Sequence, residues 1–86
     1  MHYTLLIKKQ AKKVLQSLAR TDRNRIAEKI KLLGENPDNP ILDIKSLQGE
    51  PYYRLRVGQW RIIFDRDDEV KIIAIEKIKP RGGAYK

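Results

Sequence analysis

The chain has 86 residues, with 19 lysines and arginines against 11 acidic residues and a net charge of +8 at pH 7. This length predicts one domain, residues 1–86, with a small core, and the charge favours nucleic acid, an anionic membrane surface or an acidic protein as partner. The absence of cysteine and the single histidine argue against disulfides, metal centres and Ser-His-Asp catalysis. No signal peptide or membrane-spanning run is present, which favours the cytoplasm.

The first predicted elements are a short strand and a cationic helix. Residues 2–7 place Tyr3, Leu5 and Ile7 on one side, as a strand does. Over residues 8–19 the apolar side chains recur at helical spacing, and lysines occupy the other face. These lysines form either a solvated face or a long-range electrostatic attraction for RNA backbone.

A second helix is predicted after a short break. Thr21 or Asp22 is the expected N-cap, and the helix runs to about Leu33, where Gly34 is the expected C-cap and Pro37 prevents continuation. Its inward positions are expected to be Ile26, Ala27, Ile30 and Leu33. The short connection makes the two helices an antiparallel hairpin that packs on a sheet.

Residues 35–51 are predicted to be irregular, because prolines and asparagines typical of turns recur there. The apolar side chains expected to lie under this loop are Ile41, Leu42, Ile44 and Leu47.

Residues 53–64, Tyr-Arg-Leu-Arg-Val-Gly-Gln-Trp-Arg-Ile-Ile-Phe, have the pattern of a β-hairpin with a type II′ turn at Gly58-Gln59. That turn fixes the register of the two strands. The pairs expected on the core face are Val57 with Trp60, Leu55 with Ile62, and Tyr53 with Phe64.

The other face of this hairpin is predicted to be cationic. Arg56 lies opposite Arg61, with Arg54 two residues along. Cations on strands either prevent edge-to-edge aggregation or converge on an anion such as phosphate. Tyr52 is a candidate for stacking on this face or a loop aromatic, and the parity of Trp60 favours core packing over base stacking.

The last part of the chain is predicted to be a turn, a strand and a short tail. Four acidic residues suggest either a hard-cation site or, in the absence of supporting ligands, a turn. They are Asp65, Asp67, Asp68 and Glu69. Residues 70–78 are apolar on both faces, so the register of this strand stays open, and Pro80 ends it. Arg81 and Tyr85 either return toward the sheet or belong to a frayed terminus.

The predicted order is β-α-α-β-β-β, an α+β domain with a helical hairpin on a mainly antiparallel four-stranded sheet. Residues 53–64 and Pro-Arg-Gly-Gly-Ala-Tyr at 80–85 give the chain a close likeness to one family. It resembles the RelE/ParE toxin superfamily of bacterial toxin–antitoxin systems, and the resemblance covers nearly the whole chain.

This resemblance implies a ribosome-dependent endoribonuclease that cuts messenger RNA in the A site by metal-independent 2′-OH attack, with no cofactor. By the same resemblance Tyr85 is the general base, Arg61 stabilises the phosphorane, and Arg81 lies by the leaving oxygen. Arg54 and Arg56 would hold the backbone and favour the phenolate. Arginines replace the lysines of well-studied members at these two positions, and the C-terminal histidine of several relatives is missing.

Two other functions remain open at this point. A ParE-like toxin would inhibit DNA gyrase without chemistry, and a plain RNA- or ribosome-binding module would need only the charge. The family also implies a cognate antitoxin, which would cover the Arg54, Arg56 and Arg61 face and the lysine-rich helix. Operator DNA would be bound through that antitoxin, and no membrane is expected as a partner.

Overall fold

The computed structural model describes residues 2–81, which form two helices and five strands. In chain order these are β1 (Thr4–Ile7), α1 (Lys9–Ser17), α2 (Arg20–Glu35), β2 (Asp43–Ser46), β3 (Tyr53–Val57), β4 (Trp60–Asp67) and β5 (Ile72–Pro80). The predicted return of Tyr85 lies outside the described residues. Neither helix is long and apolar enough to cross a membrane.

The sheet has the strand order β1-β5-β4-β3-β2. Strand β1 pairs with β5 in parallel, and the other three pairings are antiparallel. The α+β class and the mainly antiparallel sheet are therefore confirmed, while the number of strands rises from four to five. The additional strand is β2, a four-residue edge strand within the segment predicted to be irregular.

Strand β2 forms because β3 offers it complementary partners. Asp43 lies opposite Arg56, and Ile44 opposite the buried Leu55. Opposite charges and apolar pairs across a ladder each stabilise the pairing by about 0.2–1 kcal/mol. The local sequence contains one apolar residue in this strand and gives no alternation, so the pattern alone does not reveal it. Ile41, expected under the loop, is instead 64% exposed.

The core lies between the helices and one face of the sheet. Helix α1 contributes Ala11, and α2 contributes Ile26, Ile30 and Leu33. The fully buried side chains of the sheet are Leu55, Ile62, Phe64, Ile73, Ile75 and Ile78. Trp60 packs against this core, as its parity predicted, whereas Ala27 is exposed and the inward assignment for it was wrong.

Helix α2 begins and ends differently from the prediction. Ala19 occupies the N-cap, without a side-chain hydrogen bond, so Asp22 lies in the first turn, where a carboxylate favours the helix dipole. Gly34 is not the C-cap but a buried helical residue. A Cβ there would lie 2.9 Å from Cδ1 of Leu5, and the Gly34 carbonyl accepts a 2.7 Å hydrogen bond from Tyr3 N–H. The glycine therefore lets β1 approach the helix.

The central hairpin has the predicted register. Arg56 pairs with Arg61, and Val57 with Trp60. Gly58 has φ +58° while Gln59 does not have a positive φ, which fits a type II′ turn. The aromatic rings of Tyr53 and Phe64 stack with centroids 5.5 Å apart.

A β-bulge sets the register of β5 against β4, which the sequence left open. Ile63 pairs with Lys77 but Phe64 pairs with Ile75, so Glu76 is the extra residue. The bulge shifts the side-chain alternation by one residue. Ile73, Ile75 and Ile78 therefore all reach the core, which explains why this strand is apolar on both parities.

Candidate functional site

The candidate site is a cavity on the face of the sheet opposite the helices, which we call the open-face cavity. Its volume is about 360 Å³, and β3, β4 and β5 and the segment before β3 form its walls. Its lining contains Arg54, Arg61, Lys77 and Lys79 as cations, Glu50 and Glu76 as carboxylates, and Leu47, Tyr52 and Ile63 as the remaining side chains. Four cations against two carboxylates make the cavity electropositive.

The hairpin register and the bulge together bring these cations to one place. Alternation along β3 and β4 puts Arg54 and Arg61 on the open face. The bulge at Glu76 then turns Lys77 and Lys79 to the same face, opposite Ile63 and Arg61. The open-face lysines therefore depend on a one-residue irregularity in β5.

Two guanidinium nitrogens in this cavity are buried and have no hydrogen-bond partner among residues 2–81. Nε of Arg54 and Nη1 of Arg61 make no hydrogen bond to any of the described residues. The Arg54 side chain is 13% exposed, and its Nη2 lies 3.2 Å from Oδ1 of Asp43. A buried donor without an acceptor costs about 1–3 kcal/mol, and more when it is charged. An anion that reached these nitrogens would supply the missing acceptor.

Glu76 is the acidic side chain at the bulge, and an ion pair partly neutralises it. Its carboxylate lies 3.5 Å from Nζ of Lys8, just before α1. Lys8 also donates its N–H to the carbonyl of Ile75, and the side-chain carbonyl of Gln10 accepts a hydrogen bond from Ile78 N–H. These contacts hold the bulge in place beside the open-face cavity.

The predicted site residues are only partly brought together. Tyr52, Arg54 and Arg61 line one cavity. Arg56 pairs with Arg61 across the ladder but lines a second cavity, of about 350 Å³, between β3 and α2. The backbone N–H of Arg81 donates to the Gln59 carbonyl at 2.7 Å, which fixes its main chain beside the hairpin turn, and its side chain is exposed.

Sequence reasoning missed the two open-face lysines and the two carboxylates. Lys77 and Lys79 alternate in the sequence, and this alternation would have identified them if the bulge had been known. Glu50 comes from the loop before β3, and no local pattern marks it.

Asp67 at the end of β4 and the acidic residues after it form a turn and an ion-pair cluster, in agreement with the turn interpretation, whereas Asp65 lies within β4. Oδ1 of Asp67 accepts from the backbone N–H groups of Glu69 and Val70. Arg66 binds Asp38 through two hydrogen bonds, of 3.0 and 3.2 Å, and Asp68 through one of 2.7 Å. The hydrogen bonds from Arg66 hold the pKa of both carboxyls below the ordinary value.

Known proteins match this chain over nearly its whole length. A family model of the ParE toxin of type II toxin–antitoxin systems matches residues 3–85. The chain is 35% identical over 88 aligned residues to a candidate RelE1 toxin of Methanocaldococcus jannaschii, with 100% of this chain and 98% of the relative covered.

Two solved complexes have a chain with the same architecture. The RelE–RelB complex of Pyrococcus horikoshii superposes with a TM-score of 0.83 at 36% identity, covering 95% of this chain and 98% of the other. The RelB–RelE complex of Methanococcus jannaschii gives a TM-score of 0.75 at 29% identity, with 93% and 94% covered. The chain therefore belongs to the RelE/ParE family of toxins of type II toxin–antitoxin systems.

Proposed function

We propose that this toxin is a metal-independent endoribonuclease that cuts messenger RNA in the ribosomal A site, in the cytoplasm. The observation that supports this best is the pair of buried, unpartnered nitrogens of Arg54 and Arg61 in one electropositive cavity. A phosphodiester offers acceptor oxygens to Nε of Arg54 and Nη1 of Arg61, which have none among the described residues. Relatedness to RelE toxins supports the same reaction class.

The proposed reaction is an internal phosphoryl transfer. The ribose 2′-oxygen attacks the adjacent phosphorus, and the 2′-hydroxyl proton passes to the base. The bond from phosphorus to the 5′-oxygen breaks, and that oxygen takes a proton as it leaves. The products are a 2′,3′-cyclic phosphate and a 5′-hydroxyl. The transition state carries additional negative charge on the phosphoryl oxygens, which fixed donors stabilise.

We assign three catalytic roles and three substrate contacts. Arg61 stabilises the phosphorane, Arg81 assists the leaving 5′-oxygen, and Tyr85 is the base. A phenol with a pKa near 10 is a weak base at neutral pH, so this role requires cations that favour the phenolate of Tyr85. Arg54 and Arg56 hold the RNA backbone, and Tyr52 offers a ring for a base to stack on.

The proposed protein partner is an antitoxin encoded beside this chain. Both solved relatives described above are complexes with a RelB protein. A partner of a chain whose net charge is +8 is expected to be acidic, and screening by salt would weaken such a complex. Operator DNA would then be bound through the antitoxin.

The experiment is cleavage of a defined messenger on programmed ribosomes, with mapping of the cut site and of the cyclic phosphate. Arg61→Ala and Tyr85→Phe should both lose cleavage, while Lys31→Ala, which removes an exposed cation of α2, should retain it. Cleavage that survives both site substitutions would contradict the proposed mechanism. Retained ribosome binding with no cleavage by the unaltered protein would indicate a binding module.

A second candidate function is inhibition of DNA gyrase without chemistry. The description of the matching family as ParE favours it. A supercoiling assay with purified gyrase distinguishes the two functions. Intact messenger together with blocked supercoiling would replace the nuclease with the gyrase inhibitor.

A further inference from the structure

The open-face cavity is polarised along the direction of its strands. At the end nearest the hairpin turn, Arg61 lies opposite Lys79 of β5. Two residues further from the turn, Ile63 lies between Arg54 and Lys77 in the middle of the cavity. The four cations therefore occupy the end nearest the turn and the middle, which leaves the far end to other side chains.

The far end is formed by the segment before β3 and by the bulge of β5. Tyr52 immediately precedes β3 and lies two residues beyond Arg54, a spacing of about 6.6 Å along an extended chain. Glu50 belongs to the same segment, and Glu76 is the bulge residue. The cavity therefore has cations at one end and an aromatic ring with two carboxylates at the other.

A tight turn fixes the backbone of Glu50. Its N–H donates to the carbonyl of Leu47 at 3.1 Å, and Gly49, with φ +79°, occupies the third position, as a type II turn requires. The N–H of Leu47 donates to the carbonyl of Tyr52 at 2.9 Å, which joins the turn to the start of β3. The main chain therefore holds Glu50 and Tyr52 close together at the far end of the cavity.

The two carboxylates of the far end differ in their partners. The carboxylate of Glu76 lies 3.5 Å from Nζ of Lys8. Glu50 forms no ion pair or side-chain hydrogen bond with any of residues 2–81, although four cations line the same cavity. A carboxylate is an acceptor through both of its oxygens. Glu50 therefore offers two acceptors to a ligand in this cavity.

A pair of acceptor oxygens matches guanine among the four RNA bases. The Watson–Crick edge of guanine presents N1–H and the N2 amino group side by side as donors, whereas uracil presents one N–H between two carbonyl oxygens. Adenine and cytosine each present one amino group beside a ring nitrogen that accepts. Unstacked RNA bases are recognised on this edge while their rings stack on aromatic side chains.

We propose that Glu50 and Tyr52 form a guanine-binding subsite at the far end of the open-face cavity. The Glu50 carboxylate accepts from N1–H and from the N2 amino group, and the Tyr52 ring stacks on the base. This inference rests on the proposed cleavage of RNA, because the phosphate of the same nucleotide would lie against Arg54 and Arg61. Glu50 thereby becomes the residue that selects the base beside the cut.

The test is the binding of the four nucleoside 3′-monophosphates to the purified full-length toxin, measured by calorimetry. These ligands carry a phosphate and a base but no bond that the reaction would cut, so neither the ribosome nor catalysis enters the measurement. Guanosine 3′-monophosphate should bind at least about tenfold more tightly than uridine 3′-monophosphate, the value of one additional charge-assisted hydrogen bond. Circular dichroism verifies that each variant is folded.

Three variants assign the preference to its residues. Glu50→Gln should reduce the guanine preference to about twofold or less, because an amide has one acceptor and would place its own donors against those of guanine. The matched control is Glu69→Gln, which removes the same charge at an exposed turn outside the cavity and should keep the preference. Tyr52→Leu should weaken the binding of all four nucleotides at least about fivefold, since stacking does not distinguish the bases.

The outcomes separate this inference from the proposed nuclease. Equal affinity for the four nucleotides, no measurable binding of any of them, or a guanine preference that survives in Glu50→Gln would overturn the subsite, whatever the ribosome assay shows. An equal loss of preference in Glu69→Gln would also overturn it, because total charge would then explain the effect. A preference that only Glu50→Gln removes supports the subsite even if messenger stays intact, in which case the nuclease proposal alone would fall.

Discussion

Two arginines of the same strand have opposite surroundings. Arg66 lies at the end of β4, makes three hydrogen bonds to Asp38 and Asp68, and places its guanidinium carbon 5.6 Å from the ring centroid of Tyr3. Arg61, near the start of β4 on the other face, has a buried nitrogen without a partner among residues 2–81. All three guanidinium nitrogens of Arg66 make hydrogen bonds within the fold, whereas Arg61 keeps one buried nitrogen without a partner among residues 2–81. This difference distinguishes an arginine that is bound within the fold from one that the proposed function assigns to substrate.

The largest expected effect is the loss of cleavage when Arg61 is replaced. Arg61→Ala should lower single-turnover messenger cleavage by about 10²–10³-fold, as the loss of a transition-state donor does. Its free energy of unfolding should not fall, because the substitution also removes a buried donor that has no acceptor. Ribosome-based cleavage and urea unfolding measure the two quantities. A clear loss of stability in Arg61→Ala would contradict the contrast with Arg66.

Arg54 is the intermediate case, since Nη2 binds Asp43 and Nε has no partner in the described part of the chain. Arg54→Ala should reduce cleavage by about tenfold, the value of one charge-assisted hydrogen bond to phosphate of about 1.5 kcal/mol. The matched control is Lys45→Ala, which removes the cation directly opposite on β2. If both variants lose the same activity, the effect comes from the general field and not from a direct contact.

Replacing Arg66 should lower stability and leave cleavage unchanged, the reverse of what is expected for Arg61. Arg66→Ala should lower the midpoint of thermal unfolding by roughly 4–8 °C, the shift expected for about 1 kcal/mol in a domain of this size. Its cleavage rate should stay near that of the unaltered protein, because it lies on the face away from the open-face cavity. Calorimetry and the cleavage assay decide this. An unchanged unfolding midpoint would show that its ion pairs stabilise nothing.

The smallest expected effect is on the stability of the fold at acid pH. Arg66 lowers the pKa of Asp38 and Asp68 in the folded state, so the unfolded chain binds more protons below about pH 4. The stabilisation is complete above the unfolded pKa and is lost as pH falls through the lower folded pKa. Urea unfolding between pH 2 and 6 should therefore show a steeper acid loss in the unaltered protein than in Arg66→Ala. Parallel curves would contradict this linkage.

The parts of the fold that local chemistry determines were predictable. The Gly58-Gln59 turn sets the hairpin register, so the Arg56–Arg61 pair followed from the sequence. The predictions that failed concern features that depend on contacts between distant segments. Strand β2 forms against partners on β3, and Gly34 is required by Leu5, whose approach to α2 no local pattern reveals.

The candidate site was predictable to the same extent. Arg54 and Arg61 followed from alternation within one hairpin, and they do share a cavity. Lys77 and Lys79 were missed because the bulge at Glu76 inverts the alternation in β5. Arg56 lines the second cavity, between β3 and α2, since a position on a ladder does not fix where a long side chain extends.

The parallel pairing of the first strand with the last has a consequence for biosynthesis. Strand β1 pairs with β5, whose residues follow it by about 68 positions, so the sheet stays incomplete until β5 has been made. Pairing between such distant segments is slow to form and late during translation. Lys77 and Lys79 also arrive with β5. A nascent chain therefore lacks both its finished sheet and half of the cations of the open-face cavity while most of it is being synthesised.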